Sequence, residues 1–323
     1  MNYLFLSLGL VRTFNRNDME KYRFQLEKYS GPNSRFICPN CGRKEFTKYV
    51  DLTKNTYVDP RVGRCNREMK CAYHFTPRDY YDKSAIPLPG TIDYKQKSKG
   101  EQFFFNHSEV NKSMVGVNNS SLYKYLESIF GTEKVQGVFE KYKVGTSQVF
   151  RHSTLFWQID SKNKVRTGKV MVYNQNTGKR DKCKFNWLQR PEGTFTTQCF
   201  FGAHLVRGEN TSINVGIVES EKTALICDMF FDKNFIWLAS SGLRGINQDK
   251  FSELKDRRVF LFPDLSPPNC KFSAYELWKT QGEYLGKKLR IEVSINTMLE
   301  KIATANNRID QWDIADFILN NKI

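Results

Sequence analysis

A chain of 323 residues is long enough for two or three modest domains, each burying its own core. Hydrophobic residues at 40%, charged residues at 26%, 25 Phe, 15 Tyr and 5 Trp exclude a disordered chain. Fifty Lys and Arg against 34 Asp and Glu leave a formal charge of +16, which favours a polyanionic partner, nucleic acid first, over an acidic small molecule. A basic but uninvolved surface is the alternative.

Residues 1–30 read as a lead-in. The apolar stretch 3–11 is about nine residues long, too short to span a bilayer, lacks a basic run before it, and is followed at once by Arg12, Arg16 and Lys21. A secretory signal is the rival reading, but Arg12 and the basic run after it make a poor cleavage region, so the stretch predicts a strand or an ill-ordered extension of a cytoplasmic protein with no membrane partner. Asn17 or Asp18 is placed to cap a short amphipathic helix that Gly31 and Pro32 end.

Residues 31–82 carry the strongest signal. Cys38 and Cys41 stand in CPNCG, and Cys65 and Cys71 in CNREMKC, giving C-x2-C, a 23-residue gap and C-x5-C. Two thiolates on a tight turn present one edge of a tetrahedron and a second short loop supplies the other, so these four predict a closed, structural Zn²⁺ site in a β-ribbon too small to fold by burial alone. Two disulfides or free core thiols are the competing reading. His74 could enter the metal's shell, but four thiolates suffice. Arg43, Lys44, Arg64 and Arg67, with further cations and Phe46, Tyr49, Tyr57 and Tyr73 between them, suit a single-stranded nucleic acid through phosphate neutralisation and base stacking. A solvated basic face over a small aromatic core would look the same.

Residues 83–120, rich in Lys, Ser, Gly, Pro and Asn, read as a linker. Residues 121–210 form a basic, mixed α/β middle domain: Leu122, Tyr125, Leu126, Ile129 and Phe130 have helical spacing, and 154–159 and 169–173 read as strands around a turn at 162–164. Arg166, Lys169, Lys179 and Arg180 belong to a cationic hairpin whose Thr167-Gly168 and Thr177-Gly178 turns can bring backbone amides to phosphates. The alternative is a sheet edge kept soluble by lysine. Neither Thr-Gly-Lys is part of G-x4-G-K-[ST], so this hairpin is not an ATPase phosphate loop and no fused helicase domain is expected.

From 211 to 323 strands and helices alternate, which predicts a parallel sheet flanked by helices. Strand NVGIV runs into Glu219, and RRVFLFPD puts Asp264 at an equivalent strand end, where paired carboxylates can hold Mg²⁺. Lys222 is placed to face the same phosphates. Singly, each acid could equally be a capping residue.

VESEKTAL, WLASSG and VFLFPDLS together resemble the Toprim fold of primases, topoisomerases and some nucleases. The resemblance implies acid/base chemistry for Glu219 and metal binding for Asp264. WDIADFIL, with Asp313 and Asp316, is similar to the Asp-x-x-Asp close of primase-like Toprim domains. Two departures stand out: Ser220 replaces the usual Gly, and Ser266 replaces the second acid of Asp-x-Asp. The order of zinc ribbon, basic α/β region and Toprim-like domain is similar to primases of bacteria and to primase-like proteins of mobile elements and phages. It implies template-directed nucleotidyl transfer on DNA, with a non-catalytic DNA-binding factor as the alternative and a Toprim nuclease, which would more naturally retain the full acidic set, ranked last. TQCFFGAHL sits where those proteins carry a Phe-Gly segment, and His204 within it reads as a packed or capping residue.

Overall fold

The computed structural model describes residues 23–29, 32–68, 70–83, 100–208, 212–231, 234–268, 270 and 273–321. The apolar stretch 3–11 and most of the expected lead-in helix lie outside these residues. The chain divides into two compact units, Met1–Lys97 and Ser98–Ile323. Among the described residues no helix is long and apolar enough to cross a membrane.

The first unit holds strands β1 (Phe24–Leu26), β2 (Phe46–Asp51), β3 (Thr56–Tyr57), β4 (Gly63–Cys65) and β5 (His74–Phe75), then helix α1 (Pro77–Lys83). The strands pair in the order β1-β2-β4-β5, with β3 against β2. Where the lead-in helix was expected to continue, β1 pairs antiparallel with β2 instead. A short isolated helix is marginal in water, whereas the strand gains a ladder and a bidentate ion pair from Arg23 to Asp51 at 2.9–3.2 Å. The unit's small core consists of Phe46, Cys38, Cys65 and Cys71, with Phe36, Cys41 and Tyr73 packed on it.

The second unit begins inside the expected linker. Helix α2 (His107–Met114) is set by a capping box between Asn106 and Glu109 and buries Val110, so ordered structure starts well before residue 120. Helices α3 (Ser121–Phe130) and α4 (Thr132–Lys141) follow, then an antiparallel sheet of β6 (Thr154–Ile159), β7 (Val165–Tyr173) and β8 (Arg180–Trp187), with β8 at its edge.

Next come β9 (Asn214–Val218), α5 (Glu221–Phe230), β10 (Phe235–Ala239), α6 (Gln248–Phe251), β11 (Arg258–Leu261), α7 (Ala274–Leu289), β12 (Glu292–Ile295), α8 (Met298–Ile302), α9 (Ala305–Asp310) and α10 (Ile314–Asn321). All four strands are parallel, in the order β10-β9-β11-β12. Helix α5 covers one face of this sheet and α7 the other, in separate cores. The first core also draws Leu122, Phe139, Phe156 and Met171 from the preceding segment. The expected middle and C-terminal domains therefore form one compact unit, because the antiparallel sheet and α5 bury their apolar faces in a common core.

Candidate functional site

In the first unit the four cysteines converge. Their Sγ atoms all lie within 4.8 Å of one another, with Cys38 and Cys71 at 3.7 Å and Cys41 and Cys65 at 4.0 Å. A tetrahedral S₄ site with Zn–S bonds of about 2.3 Å needs S···S edges of about 3.8 Å, so these residues fit zinc. The turn is tight: Gly42 adopts φ +65 and donates to the Cys38 carbonyl, while the Cys38 N–H donates to Arg43. Burial pushes the Cys38 and Cys65 thiols upward, whereas the Arg43 N–H brings Cys41 down to about 7. A bound cation would draw the protons from all four. His74 stays outside the cluster, stacked on Tyr49 and hydrogen-bonded to its hydroxyl at 3.0 Å. Arg43 and Lys44 are exposed, and Arg64 and Arg67 half-buried, with Arg64 3.6 Å from Glu68.

In the second unit β9 and β11 are neighbours, with Ile217 opposite Leu261. The chain leaves β9 towards β10 on one side, and β11 lies on the other, so the carboxyl ends of β9 and β11 flank a topological switch point. Glu219 directly follows β9, and Asp264 follows β11 by three residues. The Asp264 N–H donates to the Glu219 carboxylate. The Leu265 N–H donates to the Trp312 carbonyl at 2.8 Å, which brings the start of α10 to the same edge. There Asp313 and Asp316 exchange hydrogen bonds with each other's N–H, and the Thr223 hydroxyl donates to Asp313.

Four carboxylates thus repel one another at one edge. Burial, then repulsion by Asp313, holds Glu219 up to about 7, and burial with the same neighbour lifts Asp316 to about 6. Burial raises Asp264 furthest, with Glu219, Asp313 and Asp316 adding to it and Lys222 opposing. Its Oδ1 is buried without a hydrogen-bond partner. An all-oxygen anionic set with an orphaned oxygen suits a hard cation. Among the described residues only the cysteines bring three or more ligand atoms within 4.8 Å of one another. The four acids are not gathered that tightly.

Several candidates are placed differently from expectation. Lys169 is buried, and its Nζ contacts both carboxylate oxygens of Glu221 at 3.0 Å, so its charge is spent inside the fold. Arg166 is held by Asp160 at 2.6 Å and by the Thr197 hydroxyl. The two Thr-Gly steps do not form an open amide cradle. Gly168 lies within β7 against Leu155 and Leu188. Gly178 has φ +62, abuts the Tyr125 ring, and donates its N–H to Asn174. Lys179 and Arg180 are exposed. Lys222 reaches the Gly178 carbonyl at 3.4 Å, beside the acids. Ser220 is the N-cap of α5, accepting from the Thr223 N–H, and Ser266 is buried with its hydroxyl accepting from Ala274 N–H at 2.7 Å. His204 hydrogen-bonds the last residue of α4 through the Lys141 carbonyl, and burial lowers its pKa.

Three contributors carried no separate signal in the sequence. Glu221 was hidden within VESEK, Ser241 donates to Glu221 at 2.7 Å, and Lys250 is buried against the Ser240 carbonyl, where burial lowers it to about 8. Only a lysine at helical spacing opposite a buried loop could have pointed to the last.

Residues 22–86 match a putative zinc beta-ribbon finger family, and residues 120–265 match a domain of unknown function, DUF6371. No curated protein matches the chain. Similar solved structures include the zinc-binding and RNA polymerase domains of Aquifex aeolicus primase, at 13% identity over 92% of this chain and 83% of that one, TM-score 0.38. The primase fragment of the bacteriophage T7 primase-helicase protein is similar at 12% identity over 85% and 97%, TM-score 0.33. The E. coli primase catalytic core is similar at 14% identity over 67% and 76%, TM-score 0.31.

Proposed function

We propose that this chain is a primase-like nucleic-acid-binding protein that performs template-directed nucleotidyl transfer at the Glu219–Asp264 edge. The observation that carries the reading is the gathering of Glu219, Asp264, Asp313 and Asp316 at the switch point of a parallel sheet, with Asp264 Oδ1 unpartnered. It is supported by the Toprim-like run of VESEKTAL, WLASSG and VFLFPDLS and by the zinc ribbon upstream.

In this reading Glu219 and Asp264 would hold Mg²⁺, which supplies charge neutralisation for phosphate oxygens. Glu219, directly after β9 at the same edge, accepts the proton of a primer 3′-hydroxyl. The O3′–phosphorus bond forms at the α-phosphate of the incoming nucleotide as pyrophosphate leaves. Lys222 stands beside the acids to meet phosphate charge, and Lys179 and Arg180 guide the strand. The ribbon grips single-stranded DNA through Arg43, Lys44, Arg64 and Arg67. The setting is the cytoplasmic replication of a mobile element or phage, with a separate helicase opening the duplex.

A second reading, a non-catalytic DNA-binding factor, is favoured by one observation. Ser266, at the place of a second metal carboxylate, is buried and engaged with the start of α7 rather than aimed at the acids. Primer synthesis on single-stranded DNA with labelled nucleotides and Mg²⁺ or Mn²⁺ separates the two. Products that vanish in Asp264→Ala establish the transferase, and tight, salt-sensitive DNA binding without products establishes the factor.

A further inference from the structure

Strand β8 is the edge of the antiparallel sheet, pairing with β7 alone. Its register sets Trp187 opposite Lys169 and Phe185 opposite Met171, and beyond a register shift sets Arg180 opposite Tyr173. Residues directly opposite in an antiparallel pair project from the same face. That face packs on the core shared with α5 through Phe156, Met171 and Tyr173, and its Lys169 bonds Glu221, the first residue of α5 and two residues after Glu219. Trp187 remains on this face with its ring 5.9 Å from Lys169 Nζ, yet it is only half-buried, and Phe185 beside it is 45% exposed. The two rings meet edge to face at 6.2 Å.

Lysines on an edge strand protect it from pairing, but an exposed Phe works against that purpose. The turn and strand start, Lys179 to Lys184, carry four cations and one acid, so the surroundings are positive. Exposed aromatic rings within a cationic track are the chemistry that stacks unpaired bases while neutralising phosphates.

We propose that Phe185 and Trp187, with Arg180 on the same face, form a stacking platform for the bases of a single-stranded polynucleotide next to the acid edge. This rests on the nucleic-acid reading above and assigns it a face. Trp187 is also a built-in reporter: the chain's other tryptophans are Trp157, Trp237 and Trp278, each at most 2% exposed, and Trp312, half-buried.

The test titrates the full chain with a thymidine oligonucleotide of about 12 residues, following tryptophan fluorescence and, separately, anisotropy of a labelled oligonucleotide. The platform predicts quenching that disappears in Trp187→Phe, and affinity lowered at least about fivefold in both Phe185→Ala and Phe185→Leu. Phe185 lies outside the buried cores, and unchanged thermal melting checks that these variants fold. Oligonucleotide binding that neither quenches Trp187 nor responds to Phe185 overturns the platform while leaving the nucleic-acid reading intact. Quenching by thymidine triphosphate alone at the same concentration overturns its assignment to a strand. Absence of oligonucleotide binding overturns the nucleic-acid reading itself, and the platform with it.

Discussion

Lys169 Nζ lies 3.0 Å from both carboxylate oxygens of Glu221, and the two residues are 6% and 1% exposed. The pair joins β7 to the first turn of α5, and the Ser241 hydroxyl completes the carboxylate's partners. Removing one partner leaves a buried, uncompensated charge, so Lys169→Met destabilises the second unit by about 3–5 kcal/mol. The double variant Lys169→Met/Glu221→Leu recovers most of that loss. Denaturant unfolding of the three proteins checks both statements, and equal stability of single and double variants contradicts them.

Charge reversal belongs at Lys179 and Arg180, which are exposed, and not at Lys169. Lys179→Glu/Arg180→Glu is expected to weaken DNA binding with unchanged melting, and to flatten the salt dependence by about one unit per lost phosphate contact. A salt slope equal to wild type places the phosphate contacts elsewhere.

The ribbon has too small a core to fold by burial alone. Cys38→Ser and Cys65→Ser should each lower zinc content from about one ion per chain towards zero and unfold the first unit. Metal analysis with circular dichroism reads both, and a Ser variant that retains full zinc refutes the four-thiolate site.

Glu219 is raised from 4.5 to about 7 and Asp316 from 3.8 to about 6. For acids raised in the folded state, the unfolded chain gives up its protons first. The contribution of these groups to stability is full below about pH 4 and is lost as pH rises through about 7. Metal-free protein is therefore expected to show this component as declining stability between those limits, and Glu219→Gln to flatten it. Mg²⁺ should counter the decline, because it favours the ionised acids. Melting curves across this window, with and without Mg²⁺, provide the check, and a Glu219→Gln profile parallel to wild type argues against the shift.

Ser266 accepts the Ala274 N–H at the start of α7, so Ser266→Ala should cost about 1 kcal/mol. Ser266→Asp can accept the same hydrogen bond and add a carboxylate two residues from Asp264. Because that hydrogen bond holds position 266 towards α7 and not the acids, Mn²⁺ binding measured by calorimetry is expected to be unchanged, and tighter binding would mean that position 266 faces the acid edge.

Much of this protein was legible from sequence, because the features concerned are local. CPNCG with CNREMKC specifies a thiolate tetrahedron through two short loops, and the regular alternation after Asn214 specifies a parallel sheet through crossover geometry. Glu219 and Asp264 could each be placed at a strand end. That they face each other depends on β9 and β11 being neighbours, a question of strand order, and the approach of Asp313 and Asp316 depends on the Leu265–Trp312 hydrogen bond.

Tertiary structure alone separated the cations. Lys169, Lys179 and Arg180 look alike in a basic hairpin, yet burial opposite Glu221 makes the first an internal ion pair, while the turn leaves the others in solvent. Gly178 reads as a turn that could open towards phosphate until Tyr125 is seen against it. Composition and spacing determine which groups are available and where each strand ends. Burial and long-range pairing, which no local pattern encodes, decide which of those groups meet solvent and which meet each other.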